Sequence, residues 1–308
     1  MRAALIRSFD GPESVEIADV VEPAVGPDSV LIEVAATSVN PVDWKILHGG
    51  MQAAIPHHLP MTPGWDVAGT VAAVGPAIRD LQIGDRVAAY ARKDHVRDGT
   101  FAERVAVPER SWALVPDEVD LEVAACLPLA GMTADMLLDA AAVGEGDTVL
   151  VHAAAGGVGS FAVQLAALRG ATVVGTASER NHDYLRDLGA TPVTYGEGLV
   201  DHVREVAPDG VDAVVDLVGG AALEATPQVL RDGGRVASVI DPSVADRFGG
   251  TYVFVRPDRA RLTRLLQLVA EGRLKVEIAE RYPLEQAREA FLASKAGHVR
   301  GKVVVTRD

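Results

Sequence analysis

HAAAGGVGS, residues 152–160, lies between the apolar run TVLV and the small-residue helical run FAVQLAALRG. A turn from a parallel strand into a helix leaves several backbone N–H groups pointing outward. The helix dipole adds partial positive charge, so an anion is favoured there. The dinucleotide fingerprint GxGxxG uses its second glycine for close approach of a pyrophosphate and its third for packing of helix against strand. In that register residues 154–159 read AAGGVG: Gly156 and Gly159 take the second and third positions, Gly157 lies between them, and Ala154 stands where the first glycine is usual. Alanine serves there if the turn keeps a negative φ, because only a positive φ demands glycine. On its own the pattern also fits any tight glycine-rich strand-to-helix turn.

The flanking sequence narrows the reading. GATVVGTAS (170–178) predicts a second strand, NHDYLRDLGA a short helix closing at Gly189 as its left-handed cap, and PVTY, VDAVVDLVGG and GGRVASVI further strands. Short apolar β-rich runs alternating with helices describe βαβ units on a buried parallel sheet. Ahead of them, VLIEVAATSVN (30–40), VAGTVAAVG (67–75), DRVAAY (85–90) and TFAERVAV (100–107) are strand-like runs broken by glycine and proline, which predicts an irregular, mostly antiparallel β domain. After residue 256, RPDRARLTRLLQLVAEG predicts an amphipathic helix, LKVEI a strand, PLEQAREAFLASKAG a helix and GKVVV a last strand. These late strands have no obvious place in a finished doubly wound sheet and are expected to return to the first domain.

Composition sets limits. At 308 residues, 48% hydrophobic and 23% charged, the chain has the profile of a globular protein of about two domains. A net charge of -14 argues against nucleic acid or an anionic membrane as partner, so a bound phosphate must be held by local geometry. Cys126 is the only cysteine, which rules out an intrachain disulfide and a four-cysteine zinc site. The start, MRAALIRSFDGPESVEI, carries charges on both sides of an apolar run too short for a signal peptide or a membrane span; the expected location is the cytoplasm.

The order of landmarks NPVDWKI (40–46), PGWDVAGTVAAVG (63–75), GDRV (84–87), GTFAERVAV (99–107), AACLPLAGMTA (124–134), HAAAGGVGSFAVQLA (152–166), GTASERN (175–181) and GHVRGKVVV (297–305) resembles the medium-chain dehydrogenase/reductase superfamily, and more closely its zinc-free quinone oxidoreductase branch. The resemblance runs over essentially the whole chain. It implies an α/β protein made of a GroES-like β domain, residues 1–122 completed by 257–308, and a Rossmann doubly wound parallel-sheet domain, residues 123–256, with NADPH in the cleft between them. It further implies cofactor contacts from Thr133, Ala155, Gly156, Gly157, Val158, Tyr195, Val239, Phe254 and Lys302, and places Asn40 and Asp43 near the nicotinamide ribose and the acceptor. The alternative for Asn40 and Asp43 is a turn in which both satisfy local backbone groups. The superfamily's zinc enzymes carry a Cys near the position of Asn40 and a His in a GHE motif where this chain has Gly64, Trp65 and Asp66. Neither soft ligand is present, so no metal site is expected, and His48, His57 and His58 lack a companion carboxylate or cysteine cluster.

Without a Lewis acid, the acceptors favoured are those that stabilise their own negative charge once hydride arrives, which quinones and α,β-unsaturated carbonyls do by conjugation. Orientation, a dry site and one or two donors are then the main requirements. Tyr90 and His95, flanking the loop YARKDHVRDGT, are candidate donors, with Tyr90 taken beside Asn40 and Asp43 as the catalytic set. Trp65 and Cys126 are read as core side chains. An enoyl or alkenal double-bond reductase on the same fold, and a non-catalytic NADPH-binding sensor or structural protein, remain open at this point. NADPH is expected over NADH because the second Rossmann strand ends near Gly175 and Thr176 without the carboxylate that grips ribose hydroxyls, and Ser178 and Arg180 follow, suited to a 2′-phosphate. Glu179 argues the other way if it faces the ribose. TYVFV (251–255), apolar and last of the Rossmann strands, is expected to be a sheet edge that pairs across a homodimer.

Overall fold

Three runs, TVLV (148–151), TVVGTA (172–177) and VDAVVD (211–216), are buried along almost their whole length, as a sheet covered on both faces requires. The computed structural model describes residues 1–307. Among them, the three strands join Ala190–Thr194, Leu230–Ser238 and Thr251–Tyr252 in a six-stranded sheet. The pairings are all parallel. In sequence order of the strands, the sheet runs 3-2-1-4-5-6, the doubly wound order with its switch point beside the first strand. Each of the first five strands sends a side chain into one core: Leu150, Val174, Val193, Val214 and Val236.

This sheet belongs to a compact unit, Ala130–Val255. The other unit comprises Met1–Leu129 and the segment from Arg256 onward. The helix Leu121–Ala125 goes with the first unit because it packs on the strands Ser29–Val39 and Asp66–Val74. A seven-stranded sheet organises that unit around the long strand Ser29–Val39. One edge of this strand pairs with Arg104–Pro108 along residues 29–33 and with Lys302–Thr306 along residues 36–39; the other edge pairs with Asp66–Val74. The sheet continues through Arg86–Tyr90 to Trp112–Leu114, all antiparallel. Val30, Ile32, Val67, Val87, Val105 and Trp112 fill its core.

Two expected strands differ. LKVEI is not the strand before the last helix; Ile278–Pro283 is, paired parallel with Lys302–Thr306. Leu274 is instead buried at the end of the turn that follows the helix Arg259–Ala270. Of TYVFV only Thr251–Tyr252 pairs, and it does lie at the sheet edge. No helix among the described residues is long and apolar enough to cross a membrane.

Candidate active site

The turn after the first strand of the parallel sheet is fastened on both sides of the switch point. His152 N–H donates to Val215 O (3.0 Å), and Ala154 N–H to Thr176 O (2.9 Å). Ala153 N–H bonds Thr176 Oγ1 (3.0 Å). Ala154 keeps a negative φ, so alanine at the first fingerprint position is no strain; the left-handed residue is its neighbour Ala153, at φ 48°. The helix Gly157–Leu168 starts here, with Gly156 as extended N-cap. Its first intrahelical bond runs from Ser160 N–H to Gly156 O (2.9 Å), so the N–H groups of Gly157, Val158 and Gly159 lie in the unpaired first turn.

The glycines divide the work. A Cβ on Gly159 would come within 2.3 Å of Ala153 O and 2.7 Å of Ala154 Cα, so Gly159 is required by the packing of helix on turn. A Cβ on Gly156 would meet only Ala153 O, at 3.3 Å. Beyond that one tight contact, which a shift of a few tenths of an ångström would relieve, the protein itself asks little of Gly156, and its lack of a side chain suits close approach of a phosphate. Thr133, on the helix Pro128–Ala140, is buried and its Oγ1 has no hydrogen-bond partner among the described residues. These features fit a dinucleotide: Ala155, Gly156, Gly157 and Val158 would hold the pyrophosphate.

At the neighbouring strand ends, the register pairs Ala177 with Thr194, and Ser178 and Tyr195 are the residues that directly follow these two strands. Ser178 begins the short turn Glu179–Asn181, and both Glu179 and Arg180 are exposed. Tyr195 is 51% exposed. Ser178, Arg180 and Tyr195 thus follow the carboxyl ends of two adjacent strands, with Glu179 also at the surface. On the other side of the switch point, Val239 is half-buried directly after the fifth strand, and Phe254 is 41% exposed just past the sixth.

In the first unit Asn40, Asp43 and Lys302 form one buried network, which Asp66 completes. Asp66 Oδ2 accepts from Ser38 Oγ (2.8 Å) and Asn40 Nδ2 (2.8 Å), and Asp66 Oδ1 from Leu129 N–H (2.7 Å). Lys302 Nζ donates to Asn40 Oδ1 (2.6 Å) and Val39 O (3.1 Å) and stands 3.9 Å from Asp66 Oδ2. Asn40 Nδ2 also reaches Ser38 O (3.3 Å), so the Asn40 amide is fully engaged inside the chain. Burial raises the Asp66 pKa against the pull of Lys302 and of its hydrogen-bond donors. Tyr90 lies opposite Asp66 across the strand pair, edge-on to Trp65 with ring centroids 6.0 Å apart. Its hydroxyl is buried without a partner, and burial pushes its pKa far up.

Asp43 sits in the first turn of the helix Pro41–Leu47 and accepts from Asn40 N–H (2.7 Å) through Oδ2, the local role weighed as the alternative. Its Oδ1 is buried without a partner, and burial raises its pKa to about 8. Between the ordinary carboxylate value and about 8, the unfolded chain has lost this proton and the folded chain keeps it. Stability therefore falls as pH rises through that window and levels off above it. The Asp43→Asn variant, a neutral isostere, is expected to gain melting temperature over the wild type as pH rises from about 5 to about 8. Thermal melts at several pH values check this; a pH-independent difference would show that Asp43 does not retain its proton.

Trp65 and Cys126 are core residues; burial pushes the Cys126 thiol up to about 12, and its Sγ donates to Glu122 O (3.3 Å). His57 packs edge-on to Phe9 and His58 against His95. Among the described residues no group of three or more His, Cys, Asp or Glu could hold a metal ion.

Comparison with known proteins places this geometry among relatives. Residues 26–117 match the family described as alcohol dehydrogenase GroES-like domain, and residues 188–305 the family described as zinc-binding dehydrogenase. The chloroplast envelope quinone oxidoreductase homolog of Arabidopsis thaliana is 33% identical over 99% of this chain and 98% of its own length. The NADPH-dependent alkenal/one oxidoreductase, chloroplastic, of the same plant is 33% identical over 99% of this chain and 79% of its own. The quinone oxidoreductase structure from Coxiella burnetii superposes with a TM-score of 0.90 at 33% identity, covering 100% of this chain and 99% of that one. Mycobacterial Rv1454c complexed with NADPH gives 0.86 at 31%, covering 99% and 100%.

Proposed function

The chain belongs to the medium-chain dehydrogenase/reductase superfamily, in its quinone oxidoreductase branch, and from that premise we propose that it is a zinc-independent, NADPH-dependent reductase of quinones or other conjugated carbonyl compounds. The observation that carries the metal-free part is the environment of Asp66. Its carboxylate is taken up by Ser38, Asn40, Leu129 and Lys302, and it belongs to no group of three or more His, Cys, Asp or Glu among the described residues that could hold a metal ion. The match to a family described as zinc-binding covers residues 188–305; the metal-free reading is supported by the described residues, which offer zinc no group of three or more His, Cys, Asp or Glu. Metal analysis of the purified protein is expected to find far less than one zinc per chain, with NADPH oxidation unaffected by chelators. Stoichiometric zinc lost together with activity would contradict this.

NADPH, when bound, supplies the hydride. The residues of the chain do the rest. Gly157 and Val158 present N–H groups to the pyrophosphate, Gly156, whose own N–H is donated to Ala153 O, lets it approach the backbone, and Ser178, Arg180 and Tyr195 take the 2′-phosphate. Thr133, Val239, Phe254 and Lys302 serve the nicotinamide half. Asn40, Asp43 and Tyr90 order the acceptor end. Asn40, its amide saturated by Lys302, Asp66 and Ser38, acts by holding shape. A quinol anion or enolate takes its proton from solvent, so no positioned acid is demanded.

The alkenal/one oxidoreductase relative favours a second acceptor class, activated C=C bonds. The deciding experiment compares kcat/KM for 1,4-benzoquinone and 9,10-phenanthrenequinone with that for an alkenal and an enoyl thioester. The quinone reading predicts the highest values for the quinones; a clear preference for the alkenal or thioester would move the assignment to double-bond reduction. No NADPH turnover with any of them would leave a binding protein. We place the protein in the cytoplasm, a reading its chloroplast relatives do not share.

A homodimer is also proposed. The last strand, Thr251–Tyr252, is a two-residue sheet edge, and the apolar Phe254 beside it is 41% exposed. Light scattering at micromolar concentration is expected to give twice the chain mass; a monomeric mass would refute the pairing of edges.

A further inference from the structure

At the carboxyl ends of the fourth and fifth strands of the parallel sheet, one buried carboxylate and one buried hydroxyl tie two loops together. Asp216 and Ser238 are both fully buried. Asp216 Oδ1 accepts from Val218 N–H (3.1 Å) and Gly219 N–H (2.8 Å), closing the loop after the fourth strand on itself. Asp216 Oδ2 accepts from Ser238 Oγ (2.7 Å). The same Ser238 Oγ accepts from Ile240 N–H (3.1 Å) and Asp241 N–H (3.1 Å), shaping the loop after the fifth strand. The two loops touch: Gly219, at φ 72°, has Ile240 Cγ2 3.0 Å from where its Cβ would be.

The consequence is a pair of apolar side chains held outward on a buried polar clamp. Val218 is 52% and Ile240 41% exposed, while the polar groups beneath them are satisfied. Four backbone N–H groups from two loops converge on two side chains, so each loop has one conformation in which all are paired. A carboxylate acceptor makes the clamp stronger than a neutral one would be.

We propose that Asp216 and Ser238 are positioning residues for NADPH: they fix the loops that carry Val218, Val239 and Ile240 against the nicotinamide half and have no part in holding the adenine half. This inference rests on the NADPH reading above. Ser238 acts twice, as donor to Asp216 and as acceptor for the following loop, so its hydroxyl is the link between the two loops. Loss of either residue lets the loops separate while the turn at Gly156 and the edge at Ser178 and Arg180 stay as they are.

The test uses a truncated ligand. Affinities for NADPH and for 2′,5′-ADP, which carries only the adenine half, are measured on the wild type, Ser238→Ala and Asp216→Asn. The clamp predicts 2′,5′-ADP binding within about twofold of wild type, with NADPH binding weakened about tenfold or more and kcat lowered, because small misplacement of a reacting group is costly. Bound 2′,5′-ADP doubles as evidence that the unit is folded; if Asp216→Asn fails to bind it, Ser238→Ala decides alone. Equal weakening of both ligands in Ser238→Ala would mean a general structural role, and unchanged NADPH affinity and kcat would remove the role; either overturns the proposal. Wild-type protein that binds neither ligand would instead defeat the NADPH reading beneath it.

Discussion

Replacing Gly159 by alanine is expected to lower NADPH affinity by about a hundredfold or more and to destabilise the protein by about 1–3 kcal/mol. The added methyl would stand 2.3 Å from Ala153 O and 2.7 Å from Ala154 Cα, and both are backbone atoms that no rotamer change can move aside. Either the helix Gly157–Leu168 lifts from the turn or the turn shifts, and in both cases the first-turn N–H groups no longer converge. Gly156→Ala makes the control. Its methyl meets only Ala153 O, at 3.3 Å, so the fold should tolerate it while the space for the pyrophosphate is lost. Thermal melts with NADPH titrations separate the two: Gly159→Ala should lose stability and binding, Gly156→Ala binding alone. A Gly156→Ala protein that binds NADPH as the wild type does would show that the pyrophosphate does not rest there.

The second large effect is expected at Arg180. A charge-assisted hydrogen bond contributes roughly 1.5–3 kcal/mol, so Arg180→Ala should weaken NADPH binding about ten- to a hundredfold. NADH, which lacks the 2′-phosphate, should bind the variant and the wild type alike. Ser178 and Tyr195 stand at adjacent strand ends and remain in the variant, which is why selectivity should fall without vanishing. Glu179 is exposed beside Arg180, and its carboxylate would repel a phosphate if turned toward it. The ratio of kcat/KM for NADPH over NADH in both proteins decides the matter: a high ratio that collapses in Arg180→Ala fits the assignment, and equal wild-type values for the two cofactors contradict it.

Much of this was legible in the sequence where the signal is local. The parallel strands are continuous apolar runs, and the turn between them carries glycines whose spacing has a steric cause that the structure makes explicit at Gly159. The strand Ile278–Pro283 was hidden because it is mostly exposed, so its polar residues erase the apolar pattern that LKVEI happens to show. The polar networks were hidden for another reason. Lys302 reaches Asn40 across 262 residues of chain, and no spacing rule joins them. A clue did exist: a carboxylate within the apolar run GWDVAGTVAAVG must find partners if buried, and the same holds for Asp216 in VDAVVDLVGG. What those partners are, only the fold reveals. Asn40 and Asp43 show the same limit, since resemblance points to them while the structure adds their capping and anchoring contacts.

The central claim is hydride transfer from NADPH to a conjugated acceptor without a metal. Its most direct test is steady-state NADPH oxidation by chelator-treated, metal-analysed protein in the presence of 1,4-benzoquinone or an alkenal. Sustained turnover is expected, one NADPH consumed per acceptor reduced, at a rate unchanged by added zinc. No oxidation above the protein-free rate with either acceptor, or activity that appears only when zinc is restored, would contradict it.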